Sequence, residues 1–224
     1  MDHEFKESED QGKNPVNPPE VPDNEPEEPK RKGSLWQNLY LYLHDAVYIL
    51  GAVMLVFVFL FRVVTVAGSS MYPTLVDQDY VALLSNVFYH GDQIENGDVV
   101  VALVPTFDDE PIVKRVIATE GQTVDIDFLT GTVYVDGVAL DEPYINEPIQ
   151  GSWGDRGVTF PYTVDKGHVF LMGDNRNHSS DSRLVSIGQV DTRHILGKVT
   201  CVMVPGPDEM KNNERDFGRI GAVS

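Results

Sequence analysis

From Ala46 to Phe61 the chain runs for 16 residues without a charged or strongly polar side chain. No other feature constrains the fold as strongly. A helix needs about 20 apolar residues to cross a hydrocarbon core about 30 Å thick. The run alone is short of that, and its flanks supply the remainder. Leu35 to Leu43 is largely aliphatic and aromatic, with Trp36, Tyr40 and Tyr42 suited to a membrane–water interface. On the other side Arg62 can extend its charge to the opposite interface, and Val63, Val64 and Val66 follow. Residues 35–66 are therefore predicted to form a single transmembrane anchor. A buried core helix and a cleavable leader are the competing readings. Thr65-Val66-Ala67-Gly68 does offer small residues, but the n-region of such a leader would exceed 40 residues and be acidic.

Lys30-Arg31-Lys32 precedes the span, and only Arg62 follows it closely. The positive-inside rule then places the N-terminus in the cytoplasm and the chain beyond residue 66 outside. Residues 1–34 are rich in Glu, Asp, Pro, Asn and Lys. They cannot bury enough apolar surface to offset chain entropy, so a disordered acidic tail is expected. The formal net charge of the chain is −18, from 17 Lys+Arg against 35 Asp+Glu. Such a chain lacks the basic surface that nucleic acid requires. Its single cysteine, Cys201, rules out an internal disulfide and a cysteine-based zinc site. Cys201 lies in an apolar run, Val199 to Val204, and is expected to be a buried core thiol.

Beyond residue 66 the texture changes to short β-branched runs separated by turns. Strands are predicted at 80–84, 98–104, 111–117, 123–126, 132–135, 168–172 and 198–204. Asp136-Gly137, between Tyr134-Val135 and Val138-Ala139-Leu140, signals a hairpin. The expected architecture is a mostly-β, antiparallel catalytic domain over 67–224 behind one transmembrane helix. A small inserted subdomain is expected at about 132–167.

Two stretches are unusual for a plain β domain. Gly68-Ser69-Ser70-Met71-Tyr72-Pro73-Thr74-Leu75 combines small residues, a serine and a proline, a turn able to expose a hydroxyl. The segment from Gly173 to Arg183 follows an apolar strand and is dense in hydrogen-bonding groups. A third feature joins them. Lys114 sits in an apolar strand, and alternation puts it on one face with Ile112 and Val116 while Arg115 points the other way. Burial disfavours a charged amine and lowers its pKa. A neutral amine can take a proton from a serine hydroxyl without help from histidine. Taken alone, Lys114 could equally line a solvated edge, and either polar stretch could be an ordinary loop.

Together these residues resemble bacterial type I signal peptidase in its compact, single-span, Gram-positive-like form. The motifs fall in family order: residues 68–75, then Asn96-Gly97-Asp98-Val99-Val100, then Val113 to Ile117, then Gly173 to Arg183, then Ile195-Leu196-Gly197-Lys198. The resemblance implies a membrane-bound serine endopeptidase that removes signal peptides from secreted preproteins after small residues, in Ala-x-Ala fashion. It implies Ser70 as nucleophile and Lys114 as general base, with Ser179 orienting the lysine amine. Asp174, Arg115, Asp181 and Arg183 match positions that pair as structural salt bridges. The backbone at Gly68 and Ser70 would form the oxyanion region; a serine hydroxyl found at the position of Gly68 in some members is missing here. Val66, Met71, Leu75, Val81, Ile112 and Val113 are expected to line shallow pockets for small side chains, although each could equally be core packing. No cofactor and no metal is expected. The partners would be signal-peptide-bearing preproteins and membrane lipid.

One departure concerns the turn after Lys114. The family often has Gly-x-Pro-Gly-Asp there, whereas this chain reads Ala118-Thr119-Glu120-Gly121-Gln122. Other serine–lysine enzymes fit less well. The self-cleaving repressors are cytosolic, and penicillin-binding enzymes use Ser-x-x-Lys where Pro73 stands here. His178 is the one histidine in a polar loop that could serve a Ser-His-Asp triad. A relative without activity, acting as a scaffold or dedicated to pilus proteins, is the alternative function. It would have no reason to keep Ser70 and Lys114 together.

Overall fold

The computed structural model describes residues 35–105, 110–208 and 210–223. The acidic tail expected at 1–34 lies outside the described residues. The chain divides into two units, Met1–Ala46 and Val47–Ser224.

Helix α1 (Leu35–Leu60) begins in the first unit and ends in the second. It contains the stretch Asn38–Val58, 21 residues with a mean hydropathy of 2.0, none of it buried by protein. Among the described residues no other helix is long and apolar enough to cross a membrane. A soluble core helix would be covered by protein; here Leu50, Met54 and Phe57 are all exposed. The helix stops at Leu60, earlier than the boundary at 66 read from the sequence. Phe61–Thr65 is instead a strand, β1, because its valines and threonine pair in register with a partner strand.

Thirteen further strands follow: β2 (Tyr80–Ser85), β3 (Val99–Leu103), β4 (Pro111–Ala118), β5 (Thr123–Asp127), β6 (Thr132–Val135), β7 (Val138–Ala139), β8 (Tyr162–Thr163), β9 (His168–Met172), β10 (Val190–Asp191), β11 (Ile195–Val204), β12 (Pro207–Asp208), β13 (Glu214–Arg215) and β14 (Gly221–Ala222). All of the pairings are antiparallel. The large sheet runs β1-β2-β11-β3-β4-β9-β10, with β14 added to β11. A second sheet runs β7-β6-β5-β8, and β12 pairs β13. Every strand expected from the sequence is present. The added ones are mostly two residues long, too short to show alternation, and exist because a partner edge lies beside them.

The small sheet starts at Thr123, before the expected 132, because β5 pairs with β6. Val124, Ile126, Val133 and Val135 bury one face of it against Phe170 and Met172 of β9. The two sheets therefore share a core. Asp136 and Gly137 turn the β6–β7 hairpin with φ of 51° and 78°, the left-handed pair such a turn needs. Cys201 is only half-buried, unlike the expected core thiol. A register shift in β11 between Val199 and Cys201 turns it away from the core.

The altered turn after Lys114 makes its own bonds. Gln122 Oε1 accepts from the Thr119 amide at 2.8 Å, and Glu120 accepts from the Gly167 amide at 2.8 Å. A second clip ties the link between the small sheet and the polar loop. Arg176, wholly buried, forks onto Glu142 at 2.6 and 3.1 Å and donates to Gly173 O at 3.0 Å. Removing one partner of a buried pair strands the other charge. Glu142→Ala is expected to lower the unfolding free energy by about 3–5 kcal/mol, read as a shifted midpoint in urea unfolding.

Candidate active site

Ser70 lies in a run of tight turns between β1 and β2. Tyr72 N–H donates to Ser69 O at 3.1 Å and Leu75 N–H to Met71 O at 2.9 Å. Met71 and Leu75 are almost fully buried and anchor the turn in a core with Val81, Leu83, Val99 and Val101. From the other side the polar loop grips the serine backbone. The Asn175 amide donates to Ser70 O at 3.0 Å, and Asn175 Nδ2 donates to Ser69 O at 3.1 Å. Gly173 is pressed between Ser70 and Ser179; a Cβ there would overlap the Ser70 carbonyl and the Ser179 side chain. Only glycine permits this approach.

Lys114 lies in β4 opposite Val100 of β3 and is 4% exposed. Its Nζ is 2.7 Å from Ser70 Oγ and 2.9 Å from Val113 O. Burial pushes the amine down from 10.5 to about 8. Asp181 and Asp174 act against that shift, and Arg183 reinforces it. Protonated Lys114 donates to the Ser70 hydroxyl; the neutral amine accepts from it.

Two buried ion pairs stand behind Ser70 and Lys114. Arg115 forks onto Asp174 with both bonds at 2.8 Å, donates to Gly97 O at 2.8 Å, and stacks over the Tyr144 ring at 3.9 Å. Arg183 forks onto Asp181 with both bonds at 2.8 Å, and Asp181 also accepts from the Gly173 amide at 3.0 Å. Asp181 is held below the ordinary carboxylate range. Its burial pushes the other way and is outweighed by Arg183 and these hydrogen bonds. The motif acids and bases thus pair as 115 with 174 and 183 with 181. Asp98 and Lys198, from two further motifs, form an ion pair of their own, with Tyr89 O–H donating to Asp98 at 2.6 Å.

Ser179 departs from expectation. It is buried and lies close enough to Asp181 to help hold that carboxyl low, yet its Oγ makes no contact of hydrogen-bonding geometry. The lysine amine bonds to Ser70 and Val113 instead. At the expected oxyanion region, the Ser70 amide has no partner among the described residues. The Gly68 amide donates to Asp77 Oδ1 at 2.7 Å and is thereby engaged.

A cleft of about 750 Å³ opens over Ser70 and Lys114, and Val66, Met71, Ile112 and Val113 are among the residues that line it. Leu75 and Val81 do not line it; both are wholly buried, because their strand and turn positions face the core. Leu83, Val101 and Leu196 line it and were missed, since strand alternation cannot tell a cleft wall from a core face. His178 lines the cleft, but its ring bonds to neither Ser70 nor Lys114, which leaves a histidine triad without geometry. Asn175, Arg176, Glu142 and Tyr144 also escaped the sequence reading. The first two lay inside the polar loop already singled out, whereas nothing local marks Glu142 or Tyr144. Among the described residues no cluster of His, Cys, Asp or Glu is arranged to hold a metal.

Residues 40–204 match the family model described as signal peptidase, peptidase S26. The chain is 37% identical over 157 residues to "Signal peptidase I" of Bacillus amyloliquefaciens, covering 67% of this chain and 77% of that one. It is 36% identical over 162 residues to "Signal peptidase IB" of Staphylococcus aureus strain COL, covering 66% and 80%. A crystal structure of a signal peptidase I from Enterococcus faecalis V583 aligns with 27% identity and a TM-score of 0.39, over 48% of this chain and 97% of that one.

A depressed lysine makes stability depend on pH. Between about 8 and 10.5 the unfolded chain binds a proton that folded Lys114 does not, so stability rises with pH across that window. Below about 8 the cost of burying the amine is fully present. Lys114→Met keeps an unbranched side chain one atom shorter and removes that cost. At pH 7 the variant is expected to be more stable by roughly 1–3 kcal/mol, and the gap should close towards pH 10.5. Urea unfolding at pH 7 and pH 10 measures this; a gap independent of pH would show that the amine is not the group that titrates.

Proposed function

We propose that this chain, which belongs to peptidase family S26, the signal peptidases, cleaves signal peptides from preproteins as a membrane-bound serine endopeptidase using a Ser70–Lys114 dyad. The observation that carries this reading is the 2.7 Å contact between Lys114 Nζ and Ser70 Oγ in a site where the amine is 4% exposed. Neutral Lys114 takes the Ser70 hydroxyl proton as Oγ attacks the scissile carbonyl carbon. The resulting oxyanion is received by the Ser70 N–H. Lys114 then passes the proton to the leaving amine nitrogen, and the C–N bond breaks to leave an ester on Ser70. Water attacks that ester, with Lys114 taking its proton and returning one to Ser70 Oγ. Each proton taken is given back, and no cofactor enters.

The cleft supports an extended substrate with apolar side chains against its wall. β1 is the edge strand of the large sheet, and Val64, Thr65 and Val66 run along the cleft. An extended preprotein segment laid on this edge would place alternate side chains against its apolar wall. In our reading those side chains, at the −1 and −3 positions, are small, usually alanine. Helix α1 holds the enzyme in the bilayer, with its N-terminus cytoplasmic and the β domain outside, where translocated signal peptides present their cleavage sites.

Detergent-solubilised protein is expected to cut an Ala-x-Ala preprotein after the second alanine. Ser70→Ala should abolish cleavage, and Lys114→Met should lower kcat/KM by about a hundred- to ten-thousand-fold. Equal activity in wild type and both variants would sink the dyad. Because the base must be neutral, kcat/KM should rise with pH to a plateau with a midpoint of about 8. A flat profile from pH 6 to 10 would contradict a lysine base.

A further inference from the structure

The family match ends at residue 204, yet the chain continues into an arm that closes on the back of the serine turn. β12 and β13 pair, a short turn follows at Phe217–Arg219, and β14 returns to pair with β11 at Cys201 and Val202. Val223 packs against the cluster that contains Met71 and Leu75. The contact that matters is Arg219. Its side chain is 15% exposed and forks onto Asp79, with Nη1–Oδ1 at 3.1 Å and Nη2–Oδ2 at 2.7 Å. The same Nη2 also donates to Thr74 O at 3.1 Å.

Asp79 is wholly buried and is satisfied from three directions. It accepts from the Val76 amide at 2.8 Å, from the Gly206 amide at 2.7 Å, and from Arg219. Gly206 lies against residues 77–79 so closely that a Cβ would overlap the Asp77 carbonyl. The arm thus meets the turn at two points, a backbone one and a charged one. Thr74 stands four residues after Ser70 in that turn. Its Oγ1 donates to Asp174 Oδ2 at 2.5 Å, and Asp174 holds Arg115, the neighbour of Lys114. One guanidinium therefore touches the carbonyl of a residue whose hydroxyl reaches the ion pair beside the base.

We infer that Arg219 is a positioning residue, and that the C-terminal arm sets the placement of the Ser70 turn relative to Lys114. The inference rests on Ser70 as nucleophile. Arg219 touches no reacting atom; it acts through Thr74 and Asp79. Arginine is required because one planar fork serves the carboxylate and the Thr74 carbonyl together. A lysine can neutralise Asp79 but cannot reproduce both contacts.

The test compares kcat, KM and urea stability of full-length, detergent-solubilised Arg219→Lys and Arg219→Gln on an Ala-x-Ala preprotein, with Ser70→Ala alongside. Rates are taken per folded molecule from near-ultraviolet circular dichroism. Arg219→Lys is expected to keep most of the stability yet lose about tenfold in kcat, with KM within about twofold and the pH midpoint unchanged, as a misplaced nucleophile requires. Arg219→Gln should lose at least as much kcat. Arg219→Lys with wild-type kcat per folded molecule overturns the inference and leaves the arm a purely structural element; this holds even where Arg219→Gln fails to fold. Cleavage by Ser70→Ala would overturn the nucleophile assignment instead.

Discussion

A lysine that is to serve as the proposed base has to be kept from solvent and from unbalanced negative charge. That requirement organises the site. Lys114 is buried, and burial is the main cause of its lowered pKa. Two carboxylates close by, Asp181 and Asp174, act in the opposite direction. Each is matched by a two-point arginine partner, Arg183 and Arg115. The ion pairs order the polar loop, and Arg183 also works against the recharging of the amine by the two acids. Replacing Arg183 would change the loop and the lysine amine together.

The serine is constrained just as heavily, by other means. Its turn is fixed below by Met71 and Leu75 in the core. Asn175 holds its carbonyls on one side, and Arg219 reaches Thr74 O on another. None of these contacts is made by Ser70 Oγ itself, which is left to Lys114. The hydroxyl is therefore placed by backbone and by neighbours, which leaves it free for the attack proposed above. Such preorganisation lowers the entropic part of the barrier.

Much of this was legible in the residues. The apolar run announced the helix, β-branched alternation announced the longer strands, and Lys114 stood out as a charge inside an apolar strand. The sequence pattern does not separate Val66, Met71, Ile112 and Val113, which line the cleft, from Leu75 and Val81, which are core. The difference is one of curvature. Alternation gives two faces, but which part of a face is covered depends on how the sheet bends and what lies over it. Glu142, Tyr144, Asp79 and Arg219 carried no local signal, because each matters through a partner distant in sequence.

What the sequence determined by itself was the set of elements and the chemistry available to them: one apolar helix, an antiparallel β domain, a serine in a tight turn and a lysine on a strand. Those depend on short-range pattern, on hydrophobic spacing and turn chemistry within a few residues. What only the tertiary structure decided was the meeting of residues 44 positions apart at 2.7 Å, the pairing of arginines with acids, and the closing of the arm on the serine turn. These come from sheet order. β4 reaches Ser70 because β3 and β11 set its place, and Arg219 reaches the turn because β14, just after it, pairs with β11. Neither adjacency is encoded by any one segment.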